Sequence, residues 1–271
     1  MSEYTDFYSS WLGCSAFGVS RIRVGGTQPL DPVVFVPTDI SGLYVWLDAA
    51  NATSVTTDLS GNISSWSNLG SVATAFAPGS NLVSYATAPN GSNIASFPGG
   101  ATLESYFQLP YLTRTCFVVF ENASDLTSIS YPYVNLMNTS ASGGRQVGVS
   151  YDSVSRAYYT SMCQQGFNCP AAGPISNVEV GGLNLAIWGV DSNTYTSSFA
   201  YYNSFSNVNT STDVPNLFNT NPIPYYIGSP VSGSPDFRVA EVIEYDSLLD
   251  SGQISTVTNY LVRKWTISAF Q

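Results

Sequence analysis

The sequence predicts an all-β protein: a two-sheet antiparallel jelly-roll sandwich with one C-terminal helix. Three observations predict it. Short runs rich in β-branched and aromatic residues recur along the chain, among them Leu43–Asp48, Arg114–Phe120 and Leu183–Val190, each bounded by Ser, Asn, Gly or Pro. A helical period enters clearly only near the C-terminus, where Ile254, Val257, Leu261 and Trp265 recur at three and four residues. Composition is the third: 44% of residues are hydrophobic and only 10% charged, against about 25% charged in an ordinary soluble domain. Ser, Thr and Asn therefore carry the solvated surface, and 271 residues suffice for one large domain that buries roughly 75% of its extended surface.

Residues 1–38 read as an N-terminal arm. Tyr4, Phe7, Tyr8 and Trp11 crowd its start, while Gly13, Gly18, Gly25 and Gly26 and then Pro29, Pro32 and Pro37 prevent a clean helix or a central strand. Aromatic groups on such a segment must pack on something else, either their own domain or a neighbouring subunit. The domain proper runs over 39–271. Gly42–Asp48 is its first strand, with Leu43, Val45 and Leu47 on one face and Tyr44 and Trp46 on the other. Turn-and-strand units follow at Leu59–Trp66 and Asn90–Phe97, and Arg114–Phe120, apolar on both faces, reads as a central strand. Val147–Tyr151, Arg156–Tyr159, Leu183–Val190 and Tyr225–Gly228 continue the series, and the Ser/Asn-rich span 191–222 reads as an extended hairpin or long surface loop.

The closing unit is a strand followed by a helix. Phe237, Val239, Ile243 and Tyr245 share one parity, with Glu241 as the exception, and Arg238, Ala240, Val242 and Glu244 share the other. This pattern predicts a strand whose second face is only partly covered. The helix, about 251–265, is capped by Asp250 with Gln253 reaching back three residues later, and Arg263 and Lys264 suit the dipole of its last turn.

Charge and cysteine usage exclude several functions. Eight basic residues, one of them lysine, face eighteen acidic ones, for a net charge of -10 and a pI near 4.1. No clustered Lys and Arg exist to hold a phosphate backbone, so direct nucleic-acid binding is not expected. No signal-peptide pattern or membrane-spanning run is present, and no membrane insertion is expected. Cys14, Cys116, Cys163 and Cys169 form no CxxC pair; Cys163 and Cys169 are spaced to close a small loop, but free thiols are the plainer reading. Histidine is absent, which removes the usual zinc sites. No cofactor is expected.

The blocks Gly42–Ala50, Ile63–Asn68, Asn93–Gly99, Val239–Asp246 and Tyr260–Trp265, in that order, resemble the concanavalin A-like lectin or laminin-G-like jelly-roll domains found in secreted adhesins, phage tails and large-virus structural proteins. The likeness covers about residues 40–266. It implies the jelly-roll fold, and a fold does not specify its ligand. Retaining glucanases of that superfamily place Glu-x-Asp-x-x-Glu on one strand, whereas Glu241-Val-Ile-Glu244-Tyr-Asp246 has the spacing reversed and puts Glu241 and Glu244 on opposite faces. Catalysis is therefore not expected, and Glu241 reads as a strand carboxylate satisfied by a backbone N–H or by Arg238 or Arg114. A calcium site built from loop carboxylates such as Asp48 and Asp58 stays open. The leading expectation is a structural component of a virus particle, a minor capsid or surface protein located in the virion. It would act through contacts with other capsid or assembly proteins, as an oligomer docked through Tyr4, Phe7, Tyr8 and Trp11. The alternative is a non-catalytic carbohydrate-binding lectin or adhesin, with Tyr201, Tyr202 and Tyr225 as glycan or protein contacts.

Overall fold

A computed structural model describes the backbone of residues 35–107, 113–122, 133–135, 137–139, 145–152, 157–164, 171–175, 181–190, 198–202, 209–211, 223–228 and 236–267. Side chains are described for 35–107, 113–121, 181–189, 225–228 and 236–267. The chain divides into two units, Met1–Val34 and Phe35–Gln271. The first, with Tyr4, Phe7, Tyr8 and Trp11, lies outside the described residues.

Strands β1 (Leu43–Asp48), β2 (Val55–Thr57), β3 (Ile63–Ser67), β4 (Ala75–Pro78), β5 (Ser84–Thr87), β6 (Asn93–Phe97), β7 (Thr102–Phe107) and β8 (Arg114–Asn122) make the first half. β9 (Tyr133–Asn135), β10 (Met137–Thr139), β11 (Arg145–Asp152), β12 (Ala157–Gln164) and β13 (Ala171–Ile175) follow. β14 (Leu183–Val190), β15 (Ser198–Tyr202), β16 (Asn209–Ser211), β17 (Ile223–Gly228), β18 (Phe237–Tyr245) and helix α1 (Ser251–Trp265) close the chain.

All the strand pairs are antiparallel. An eight-stranded sheet runs β16-β15-β14-β8-β18-β6-β5, with β1 added beside β18, and a six-stranded sheet runs β10-β17-β7-β4-β3-β2. A further four-stranded sheet, β13-β12-β11-β9, is built on the β11–β12 hairpin. The span 191–222 contributes β15 and β16, a hairpin on the edge of the large sheet. The two larger sheets form the sandwich. Trp66, Phe76, Leu103, Phe107, Tyr225 and Ile227 from one face Val45, Leu47, Val118, Phe120, Trp188 and Val242 from the other. Rings interlock there, with Tyr225 edge-on to Phe76 at 5.5 Å and stacked on Phe107 at 5.3 Å. Cys116 is buried in this core, and burial pushes its pKa well up; Cys169 lies outside the described residues.

Helix α1 forms a third layer. Ile254, Val257, Leu261 and Trp265 pack on Phe117, Val119, Leu185, Ile187, Ile243 and Tyr245, the outer face of the large sheet. Burying each such side chain contributes about 1.5–3 kcal/mol. The helix begins as the sequence predicts: Asp250 Oδ1 accepts from Gln253 N at 2.8 Å, and Gln253 Oε1 accepts from Asp250 N at 3.0 Å. This layer corrects the expectation that β18 has a partly open face. Every β18 residue but Arg238 is buried, because the helix covers what the six-stranded sheet does not.

Two irregularities re-aim side chains. Between Val239 and Glu241 the β18–β8 register slips by a residue at Ala240, so Phe237, Val239 and Val242 face the sandwich core while Ala240, Ile243 and Tyr245 face the helix. The register of β1 on β18 likewise slips between Leu43 and Val45. Tyr44 therefore joins Val45 and Leu47 in the sandwich core, and Leu43 lies in the helix-side core with Trp46 packed against it. The second unit includes the segment just ahead of β1. Phe35 lies edge-on to Tyr260, and the Tyr245 hydroxyl donates to Pro37 O at 3.0 Å.

Candidate functional site

The acidic groups sort into three sets, two turned inward and one turned outward. The first centres on Glu241. The bulge turns its carboxylate toward the helix, and four donors reach it there. Trp46 Nε1 and the Tyr260 hydroxyl donate to Oε1 at 2.8 and 3.0 Å; Lys264 Nζ and Trp265 Nε1 donate to Oε2 at 2.7 and 2.6 Å. Lys264 also reaches Asp48 Oδ2 at 2.6 Å. Burial is the main cause that raises the Glu241 pKa, with Lys264 opposing and Asp48 adding to it. Burial and this carboxylate also push the Tyr260 hydroxyl up. The expected arginine partners are thus corrected. Arg114 and Arg238 lie elsewhere, and indoles, a phenol and the chain's single lysine do the work. The sequence blocks around Trp46, Asp48, Glu241, Tyr260, Lys264 and Trp265 meet in this one network, which ties helix to sheet.

The second set lies in the sandwich core. Arg114 pairs with Glu244 at 2.9 Å, both side chains 2% exposed, and the Tyr225 hydroxyl donates to the other Glu244 oxygen at 2.7 Å. Tyr225 is fully buried, and burial followed by Glu244 raises its pKa well above the ordinary value. Its expected role as a surface contact is corrected here: on β17, Tyr225 and Ile227 are both buried, and Tyr225 is a core residue. Arg238 pairs instead with Glu121 at 3.2 Å. Because the bulge precedes Glu241, the stretch from Glu241 to Glu244 alternates normally and the two carboxylates face opposite layers.

The third set is exposed, on the outer face of the six-stranded sheet. Along β7 the inward Leu103, Ser105 and Phe107 are buried, while Glu104 is half-buried and Tyr106 is 66% exposed. Tyr226 lies directly across from Glu104, and Asn138 across from Tyr226; on the other side Ala77 is across from Glu104. One row, Asn138–Tyr226–Glu104–Ala77, therefore crosses four strands, with Tyr106 on its diagonal. Burial, then Glu104, then the neighbouring Tyr106 raise the pKa of the Tyr226 hydroxyl. The Tyr106 hydroxyl lies 3.5 Å from Glu104 Oε2.

Glu104 is held from below. The Thr102 hydroxyl donates to Oε1 at 3.2 Å, and Thr102 Oγ1 in turn accepts from Ser80 N at 2.9 Å. Gly79 N donates to Thr102 O at 3.0 Å. The carboxylate lies so close over Gly79 that a Cβ there would collide with it. A fixed carboxylate beside two tyrosine rings can accept hydrogen bonds from hydroxyl groups while the rings cover an apolar face.

The carboxylates proposed from sequence for calcium have other uses. Asp48 is engaged by Lys264, and Asp58 caps its own loop by accepting from Ser60 N and Asn62 N at 2.8 and 2.9 Å. The Asn62 side-chain amide, which donates to Asp58 Oδ2 at 3.0 Å, and then these backbone donors hold the Asp58 carboxyl below its ordinary pKa. No metal-ligating cluster occurs among the described residues. Tyr201 and Tyr202 lie on β15, across from Ile187 and Ala186; their side chains lie outside the described residues. Tyr106 and Glu104 are missed by the sequence reading, although the alternation of Leu103, Ser105 and Phe107 was a usable signal. Among the described residues no helix is long and apolar enough to cross a membrane.

The chain matches no protein-family model and no curated protein. Solved structures do resemble it. Botulinum neurotoxin type C, which depends on interaction with two ganglioside molecules to enter cells, superposes with a TM-score of 0.57 at 8% identity, over 81% of this chain and 51% of that one. The fold is lectin-like. The binding domain of Paraclostridial Mosquitocidal Protein 1 gives 0.57 at 11% identity, over 83% of this chain and 53% of that one. Trypanosoma rangeli sialidase gives 0.53 at 15% identity, over 84% of this chain and 34% of that one. At these identities the likeness shows the fold alone, and the chain spans between a third and about half of each structure. The expected virion location is overturned by these likenesses, which are to toxin proteins and a protozoan sialidase rather than to virus-particle proteins.

Proposed function

We propose that this lectin-like jelly roll is a carbohydrate-recognition module that binds glycans without turning them over. The observation that carries the reading is the exposed Tyr106 beside Tyr226 and the fixed carboxylate of Glu104 on an open sheet face. Aromatic faces and a few placed polar groups are what sugar recognition requires. The ganglioside dependence of botulinum neurotoxin type C lends the fold a precedent for glycan binding. Binding without turnover follows from the acids. Glu241 and Glu244 serve separate interior networks on opposite faces of β18, so these two do not face each other across an open cleft as the carboxylates of a retaining glycosidase do, about 5–5.5 Å apart.

A glycan array probed with the full chain and with Tyr106→Ala tests this. Saturable binding to at least one glycan class, reduced at least tenfold by Tyr106→Ala, is the expected result. An array with no saturable signal would remove the reading.

A further inference from the structure

We propose that the ligand of this face is an uncharged pyranose, held by hydroxyl groups donated to Glu104, rather than a sialylated or sulfated glycan. The inference rests on the glycan-binding reading above and specifies its ligand class. Among the described residues Glu104 is the only charged group placed on the face, and when ionised it can accept hydrogen bonds but not donate them. The cationic side chains that the structure describes lie elsewhere. Arg114 pairs with Glu244 inside the sandwich, Arg238 with Glu121 in the large sheet, Lys264 with Asp48 and Glu241 under the helix, and Arg263 lies on the helix itself. No described guanidinium or ammonium is therefore positioned to meet a sialic carboxylate or a sulfate, and a bidentate arginine is the usual means of holding such a group. An anionic sugar would also meet Glu104 at close range and a chain of net charge -10. A neutral sugar meets neither penalty. Its ring C–H face can lie on Tyr106, which is 66% exposed, while adjacent hydroxyls donate to the carboxylate that Thr102 and the Gly79–Ser80 turn hold in place.

The experiment is calorimetric titration of the full chain with lactose and cellobiose as neutral probes and sialyllactose as the anionic probe, at low and high salt. Wild type, Glu104→Gln and Tyr106→Ala are compared. Glu104→Gln keeps the shape and removes the charge, so a variant that merely misfolds is not the risk here. The expected result is binding of a neutral probe with little salt dependence, weakened at least fivefold by Glu104→Gln and at least tenfold by Tyr106→Ala. Binding of sialyllactose to the wild type that depends on Tyr106, is at least as tight as that of the neutral probes and weakens with salt would overturn this inference and leave the glycan reading standing. Neutral binding indifferent to both substitutions would place the ligand elsewhere and overturn it too. Absence of binding by all three probes, together with a silent glycan array, would remove the underlying reading as well.

Discussion

Asp48 sits directly across the β1–β18 pair from Glu241, two acids on one face of neighbouring strands. Like charges so placed repel, and Lys264 resolves the conflict by reaching Asp48 Oδ2 at 2.6 Å and Glu241 Oε2 at 2.7 Å. The lysine also lies over the Tyr260 and Trp265 rings, 5.3 and 5.4 Å from their centroids. Lys264→Met would keep much of the stem packing and leave a fully buried carboxylate facing a second acid with no cation. The expected loss is about 3–5 kcal/mol, the range for breaking a buried ion pair by removing one partner. Urea unfolding at neutral pH measures it, and a loss within the few tenths typical of surface changes would show that the network contributes little.

The same site gives stability a pH dependence of determined sign. Glu241 has its folded-state pKa raised above the ordinary 4.5, first by burial. The folded protein therefore holds this proton where the unfolded chain has released it. The contribution is fully present below 4.5 and is lost as pH rises through the raised folded value. Glu241→Gln removes that titration. The stability difference, wild type minus Glu241→Gln, should therefore fall as pH rises from 4.5 through the raised folded value; a difference that rises with pH would contradict the assignment.

How far this arrangement can be read from sequence depends on the residue. The capped helix, the buried stripe of Ile254, Val257, Leu261 and Trp265, and the central strand at Arg114 are legible because each is a local period. The bulge at Ala240 is not, since one inserted residue inverts every later parity; its trace was Glu241 standing as the exception in an otherwise alternating strand. Lys264 reaching Asp48 is a contact between chain ends that no local pattern encodes. A lone lysine in a chain with seven arginines was nevertheless a hint, because its compact ammonium suits one enclosed site. On the outer face, the alternation along Thr102–Phe107 is weakened by Ser105 at an inward position, so Tyr106 and Glu104 went unseen.

Tyr225 and Tyr226 are adjacent in sequence and opposite in role, which a pair of conservative substitutions can separate. Tyr225→Phe removes the hydroxyl that donates to Glu244 at 2.7 Å inside the core. It should cost about 1–3 kcal/mol of stability, the range for a buried acceptor losing a donor, and leave glycan affinity unchanged. Tyr226→Ala should do the reverse, with stability within about 1 kcal/mol of wild type and affinity reduced. Thermal unfolding and titration calorimetry on both variants check this, and a stability loss confined to Tyr226→Ala would invert the parity assigned to β17.

Gly79 tests the outer face without touching any group that contacts ligand. Its backbone is not in the left-handed region, so alanine fits the chain, but the new Cβ meets the Glu104 carboxylate and its Cγ. The side chain, being flexible, must swing away from Thr102, and the acceptor loses its position. Gly79→Ala should therefore change stability by less than about 1 kcal/mol while lowering neutral-glycan affinity several-fold. Since it acts through the same carboxylate as Glu104→Gln, the double variant should bind no more weakly than Glu104→Gln alone, the non-additivity of two changes on one group. Additive losses would mean that Gly79 influences binding by another route, and wild-type affinity in Gly79→Ala would mean that the position of Glu104 does not govern recognition on this face.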